Sequence, residues 1–344
     1  MLAGVLHGPR DVRVEEVETP AAMPGQVQLR VRRAGICGSD LHYFSHGYCG
    51  RFVPTRPFVL GHEFVGTVEA VGAGVTSPSV GERVVVNPAE SCGHCEPCKS
   101  GRANLCPHVV MLGSASTTPP TNGGFAEYIA VSARQCHRVP DGMSDAVAAM
   151  MEPLSVALHA LSRAGDVTGA RVLISGGGPI GLIVALAARA LGASLVVISE
   201  PLEGRRAFAT SLHVDAALDP ATEDCVAHAL HLSDGGFDIV LEASGAAAAV
   251  RGTLDFARRG GTIVQIGTVS DNHVSLPVND IMVREISFLG TFRYADEFAR
   301  GMRLVAGGRL CLDPLITRVY PLAELAAALN SAGKATELKV QLLP

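Results

Sequence analysis

The densest chemistry in the chain is the run SCGHCEPCKSGRANLC, residues 91–106, which holds Cys92, Cys95, Cys98 and Cys106. Spacings of two residues let neighbouring thiolates converge on one ion without backbone strain. Four sulfurs then complete a closed tetrahedral zinc shell with no position left for substrate. Such a metal is structural, ordering a polar lobe that has little core of its own. His94 lies inside the run and is expected to be exposed, since four thiolates already suffice. An iron–sulfur cluster or a disulfide pair are the competing readings, although ferredoxin-type runs use other spacings.

A second set is dispersed: Cys37 in GICGSDLHYF, His62 and Glu63 in VLGHEFVGTV, and Glu152 in MMEPLSVALHA. A catalytic zinc takes three protein ligands, often of mixed S, N and O type, and keeps one position open. Cys37, His62 and one carboxylate would meet that need, but spacing alone does not join residues so far apart.

The third signal is RVLISGGGPIGLIVALAARALGASLVVISE, residues 171–200, with G-x-G-x-x-G at Gly176, Gly178 and Gly181. It follows a strand pattern and opens a helix. The first glycine permits a tight turn, the second lets backbone approach a pyrophosphate, and the third lets helix and strand pack closely. Glu200, ending the next strand, stands near the offset of a carboxylate that holds ribose hydroxyls and repels a 2′-phosphate. NAD is therefore expected over NADP. Arg205 and Arg206 could meet a 2′-phosphate, and a solvated helix face is the alternative reading for Arg206.

These residues need two kinds of scaffold. With 344 residues, 48% hydrophobic and 18% charged, the chain has material for two cores. Residues 1 to about 150 carry short alternating runs split by Gly and Pro, among them QVQLRVRRAG, GTVEAVGAG, GERVVV and FAEYIAV, the pattern of a β-rich domain. From about Val156, helix and strand patterns alternate through RVLISGGG, SLVVISE, FDIVLEAS and TIVQIG, which predicts a doubly wound parallel sheet. The tail ELKVQLLP reads as a return to a strand. A net charge of −5 supplies no bulk attraction to nucleic acid or to anionic membrane. The first residues alternate like a strand and lack a signal-peptide run, and Ile180 to Leu191 reads as a buried helix, so a cytoplasmic location is expected. Cys49, Cys136, Cys225 and Cys311 are read as ordinary thiols.

GICGSD, GHEFVGTVEAVGAGV, the four-cysteine lobe and GGGPIG together resemble the zinc-containing medium-chain alcohol and polyol dehydrogenases, over the full length of the chain. Within that family GICGSDLHYF, EPLSVALHA and GTFRY look like the sorbitol dehydrogenase branch. The resemblance implies an α/β fold: a β-rich GroES-like catalytic domain over 1–152 with its zinc lobe at about 88–110, a Rossmann NAD-binding domain over 153–289, and a return at 290–344. It makes Cys37 and His62 catalytic zinc ligands, with Glu63 or Glu152 third; Glu63 could instead support a ligand from behind, and Glu152 could hold a water or substrate hydroxyl. Ser39 matches the hydroxyl that meets the reacting alcohol, and His42 the end of its proton relay. Tyr43, Arg293 and Tyr294 match substrate-side groups. Gly176, Gly178, Pro179, Ile180, Gly181, Glu200, Arg205, Ile266, Gly267, Thr268, Thr291, Phe292 and Arg293 match cofactor contacts.

The implied activity is NAD-linked oxidation of a secondary alcohol on a sugar acid or polyol, by a chain carrying two zinc ions and assembling as a dimer or tetramer. For an acid substrate the carboxylate needs a cation, with Arg293 the first candidate and Arg51 and Arg56 weaker ones. A silent zinc and nucleotide binder is the alternative from another class, against which the retention of Cys37, Ser39, His42 and His62 weighs. A zinc-ribbon nucleic-acid module fits least, given the acidic balance.

Overall fold

Alternation over Gln26–Gly35 sends Val27, Leu29 and Val31 to one face and leaves Arg30 and Arg32 on the other, the period of a half-buried strand. In the computed structural model, which describes residues 1–269 and 273–344, this strand is central to the first of two units. That unit comprises Met1–Glu152, Phe298–Gly307 and Leu312–Pro344. Its main sheet runs in the order Cys136–Arg138, Arg83–Val86, Glu63–Val71, Gln26–Gly35, Lys339–Leu343, Ile316–Pro321, with Tyr128–Ser132 also paired to Gln26–Gly35. A hairpin of Leu2–Gly8 and Asp11–Glu16 continues onto Phe58–Val59 in a separate small sheet. Leu6, Leu29, Phe58, Phe64, Phe125 and Leu325 belong to one buried cluster within this unit.

The C-terminal strand sets the site's register. It pairs antiparallel with Gln26–Gly35, matching Gln341 to Gly35, while Gly35 also stands opposite Glu63 on its other side. The helix Gly38–His46 follows directly and stops at Gly47, whose φ of 82° is the left-handed cap that glycine adopts without a Cβ penalty; its N–H donates to the Tyr43 carbonyl at 2.9 Å.

The second unit comprises Pro153–Glu297 and Gly308–Cys311. Its six strands all pair in parallel, ordered Ala216–Leu218, Leu195–Ser199, Arg171–Ser175, Phe237–Glu242, Ala257–Gln265, Ser287–Gly290. Numbered along the chain this is 3-2-1-4-5-6, the doubly wound dinucleotide-binding order, whose direction reverses between Arg171–Ser175 and Phe237–Glu242. The helix Pro179–Ala190 is buried along Leu182, Ile183, Val184 and Ala187, the buried helix expected there. No helix among the described residues is long and apolar enough to cross a membrane. The first helix of the alternating half begins at Met151, not near Val156, because Glu152 and Pro153 suit a first helical turn. This unit also extends past 289 to Glu297, whose carboxylate lies 2.7 Å from Nδ1 of His159.

The cysteine lobe has almost no apolar interior: its short helix Glu96–Lys99 buries no residue. Cys92, Cys95, Cys98 and Cys106 instead bring their four sulfurs within 4.8 Å of one another. Measured pairs are 3.3, 3.6 and 4.0 Å, around the ~3.8 Å edge of a tetrahedron with a zinc–sulfur bond of about 2.3 Å. Backbone N–H groups of Cys92 and His108 each donate to the Cys106 sulfur at 3.4 Å, as a thiolate would invite. His94 is exposed and turns its Nδ1 to the Cys92 carbonyl at 2.8 Å, away from the sulfurs. No disulfide joins any of the nine cysteines. Metal is then the organising centre of the lobe. Cys95→Ser should lower zinc content by one ion per chain and lower the thermal unfolding midpoint; an unchanged metal count by elemental analysis would contradict the assignment.

Candidate functional site

Cys37 ends the loop after Gln26–Gly35 and is the N-cap of the helix Gly38–His46. Glu63 opens the neighbouring strand and His62 immediately precedes it. Gly61 turns the chain into that strand at φ 94°, and Phe125 occupies the space where a Cβ would sit, 2.2 Å from its ring. The result joins three dispersed residues: ligand atoms of Cys37, His62 and Glu63 all lie within 4.8 Å of one another. One thiol, one imidazole and one carboxylate match a zinc site of three protein ligands with a vacant fourth direction. Glu152, in the first turn of Met151–Ala164, is buried but outside this group of three.

Two residues that the motif reading passed over hold the site together. Asp40 is fully buried and accepts from the backbone N–H of Cys37 at 2.9 Å and of Gly61 at 3.3 Å, while Oδ1 stands 3.7 Å from Nδ1 of His62. It thereby ties both ligand segments and orients the imidazole, as carboxylates do behind metal-bound histidines. Burial raises the Asp40 carboxyl, and the charge of His62 opposes that rise. Lys339, from the C-terminal strand, donates to Glu63 Oε1 at 2.6 Å and to the Ile36 carbonyl at 3.1 Å. Glu63 Oε2 also lies against this ammonium but has no donor aligned on it, leaving a buried lone pair for a cation. Gly35 makes the crossing possible, since a Cβ there would stand 2.2 Å from Glu63 Oε2 and 3.2 Å from Lys339 Cε.

The electrostatics agree. Burial opposes charge on His62, yet Asp40, Cys37 and Glu152 hold its pKa well above the ordinary range. Burial likewise opposes charge on Lys339, but Glu63, Cys37 and Glu152 keep it raised. A pocket that draws protons onto imidazole and amine this strongly is set up for positive charge, and the donor set fits zinc.

Ser39 is half-buried and His42 exposed, both on the helix that Cys37 starts. Burial and the proximity of His46 push His42 below its ordinary pKa, toward the neutral form. Tyr43 turns to the opposite face. Only 2% exposed, it packs edge-on against Phe58, and its hydroxyl accepts from Ala115 N–H at 3.0 Å with Ser114 Oγ 3.4 Å away. That placement is a core tyrosine with a satisfied polar tip.

In the second unit, Gly176 turns at φ 111°, open to glycine but strained for other residues. A Cβ on Gly181 would lie 1.9 Å from the Gly176 carbonyl, whereas one on Gly178 would meet only Arg205 Nη1 at 3.8 Å. The middle glycine is thus an open cradle at the start of Pro179–Ala190, fit for a pyrophosphate. Glu200 Oε2 accepts from Gly177 N–H at 2.7 Å and Oε1 from Leu202 N–H at 3.0 Å, so its carboxylate is fixed beside that cradle. Arg206 is no solvated face: it donates to the Glu200 and Pro201 carbonyls and pairs with Asp219 at 3.1 Å. Gly267 lies against Gly245, where a Cβ would stand 2.3 Å from the Gly245 nitrogen, between Ile266 and Thr268. Buried Glu242 knits these turns by accepting from Ser244 N–H at 2.8 Å, Gly245 N–H at 3.0 Å and Gln265 Nε2 at 2.6 Å, a role with no sequence motif behind it. Thr291 and Phe292 follow the last strand, Phe292 47% exposed with the Arg293 guanidinium 4.8 Å from its ring centroid. Arg293 has a φ of 53°, and Tyr294 is buried.

Known proteins carry the same two parts. The alcohol dehydrogenase GroES-like domain family matches residues 23–141, and the zinc-binding dehydrogenase family matches residues 179–307. Sorbitol dehydrogenase of Bacillus subtilis (strain 168) is 36% identical over 347 residues, covering 100% of this chain and 97% of its own. The crystal structure of L-idonate 5-dehydrogenase from Escherichia coli superposes with a TM-score of 0.93 at 34% identity, covering 100% of this chain and 98% of that one. A zinc-binding dehydrogenase from Sinorhizobium meliloti 1021, bound to NADP, superposes with a TM-score of 0.92 at 34% identity, covering 100% and 99%. With full-length identity at this level and both structural halves in place, the chain belongs to the zinc-dependent medium-chain alcohol and polyol dehydrogenases.

Proposed function

We propose that this zinc-dependent dehydrogenase oxidises a secondary alcohol of a sugar acid, L-idonate to 5-keto-D-gluconate, with NAD as acceptor. The observation carrying the reading is the convergence of half-buried Cys37 with buried His62 and Glu63, in a chain that also keeps an open nucleotide turn. Zinc at these residues would act as a Lewis acid that lowers the pKa of the alcohol hydroxyl, and the dinucleotide would supply the hydride acceptor. The protein's own part is positioning and proton handling. Ser39 takes the alcohol proton, and His42, exposed and shifted toward its neutral form, releases it to solvent. Glu63 serves as the third ligand, with Lys339 setting its rotamer, and Glu152 holds a substrate hydroxyl or water.

The acid end of the substrate is assigned to Arg293. A non-glycine residue at φ 53° stores backbone strain, which structures keep where a side chain's direction matters. Arg51 and Arg56 are exposed and are weaker candidates. A neutral polyol is the second reading, favoured by the full-length sorbitol dehydrogenase relative; Tyr43, tied into the core, does not separate the two. NAD is preferred because the Glu200 carboxylate would repel a 2′-phosphate, while Arg205 is the residue that could accept one.

The direct test is reduced-nicotinamide absorbance across sugar acids and polyols with NAD or NADP; turnover of polyols but no acids would reject the idonate assignment. Arg293→Ala should raise KM for acids by on the order of tenfold, about 1.4 kcal/mol, and for neutral polyols much less; equal effects would count against the carboxylate role. Glu200→Ala should narrow the ratio of kcat/KM with NAD to that with NADP by roughly tenfold or more, and an unchanged ratio would remove Glu200 from cofactor choice. Lys339→Met leaves the buried Glu63 carboxylate without its cation, so unfolding of zinc-stripped protein should lose about 3–5 kcal/mol. The loss should be smaller in zinc-loaded protein; an equal loss in both would mean that no ion shares Glu63.

A further inference from the structure

The helix Gly38–His46 carries a second histidine that the reaction does not use. His42 and His46 are four residues apart, one helical turn, and both are exposed on the same face. Their ring centroids lie 5.6 Å apart with the planes tilted by 38°. Tyr48 continues the patch beyond the glycine cap, its ring 6.0 Å from that of His46 and 49% exposed. Histidines at i and i+4 on one helix face are the spacing at which two imidazoles share one zinc ion in helical metal motifs. Two ring nitrogens at zinc–nitrogen distances of about 2.0–2.1 Å must approach to roughly 3.4 Å, within reach of rotamer changes in exposed rings already this close. Burial and the neighbouring His46 lower the His42 pKa, which lessens competition from protons for its lone pair.

We propose that His42 and His46 form a further site for a zinc-class divalent ion, filled when that ion is in excess, and that filling it blocks proton release. Water completes the coordination shell, with the Tyr48 phenol on the same patch. The ion takes the His42 lone pair that otherwise accepts the reaction's proton, so the same metal that the enzyme requires inhibits it in excess. The inhibitory part rests on the relay reading of His42 given above; the binding part does not.

The test uses holoenzyme loaded at the four-cysteine group and at Cys37, His62 and Glu63, equilibrated with increasing free Zn2+, with bound zinc counted by elemental analysis and NAD reduction followed in parallel. Wild type should take up a third equivalent and lose activity on the order of 100-fold, the scale of a removed general base. His46→Ala and His46→Gln, both at an exposed position, should stop at two equivalents and keep their activity in excess zinc. A wild type that stops at two, or variants that still take the third, would overturn the site. A third equivalent that depends on His46 yet leaves turnover intact would confirm the site and overturn both the blocking step and the relay role of His42.

Discussion

The chain must gather a half-buried thiol, Cys37, and three buried carboxylates, Asp40, Glu63 and Glu152, within one unit. Burying carboxylates is costly unless cations or hydrogen bonds meet them. The protein supplies one ammonium, from Lys339, and one imidazole, from His62. Those two do not balance the acids when Cys37 is a thiolate. Rather than removing an acid, the fold leaves one Glu63 oxygen without an aligned donor and lets the pocket draw His62 and Lys339 strongly toward their charged forms. A divalent cation held at Cys37, His62 and Glu63, as proposed, would offset most of that imbalance, and the scaffold holds the imbalance in place.

Two devices hold it. The first is register: Gly35 stands between Glu63 on one neighbouring strand and Gln341 on the other, so the C-terminal strand delivers Lys339 across a position that has no side chain. The second is Asp40, whose carboxylate takes the N–H groups of both Cys37 and Gly61 and faces His62, so the two ligand segments are fixed by one residue. The nucleotide unit works by the same economy of side chains. Gly176, Gly245 and Gly267 allow the turns at the strand ends to touch backbone to backbone, while Glu242 satisfies the amides exposed there. The cysteine lobe lies at the other extreme, with four converging sulfurs where a hydrophobic interior would otherwise be needed.

What could be read from the sequence follows from how local each signal is. The strand Gln26–Gly35 was visible because one face is buried and the other wet, which forces alternation. The four cysteines and the glycine turn were visible because their function depends on short spacing. The grouping of Cys37 with His62 came from resemblance alone, since nothing in their separation speaks of contact. Lys339 was invisible as a site residue: its partner is 276 residues away, and the tail around it looks like any edge of a sheet. Asp40 had a faint signal, an acid three residues after an N-cap position, hidden inside the GICGSD motif. Tyr43 was grouped with the substrate residues by resemblance alone, and the helix turns it inward against Phe58, a burial that no local motif signals. The choice between an acid and a neutral substrate has no local signature, because one exposed arginine looks like another until a ligand meets it.

The central claim is that one ion is shared by Cys37, His62 and Glu63, separate from the ion of the cysteine lobe. Anomalous diffraction on either side of the zinc absorption edge measures this directly. Two peaks per chain are expected, one amid the four lobe sulfurs and one at bonding distance from the Cys37 sulfur and the His62 ring. A single peak in the lobe, with Cys37 and His62 bare in zinc-replete crystals, would contradict the account.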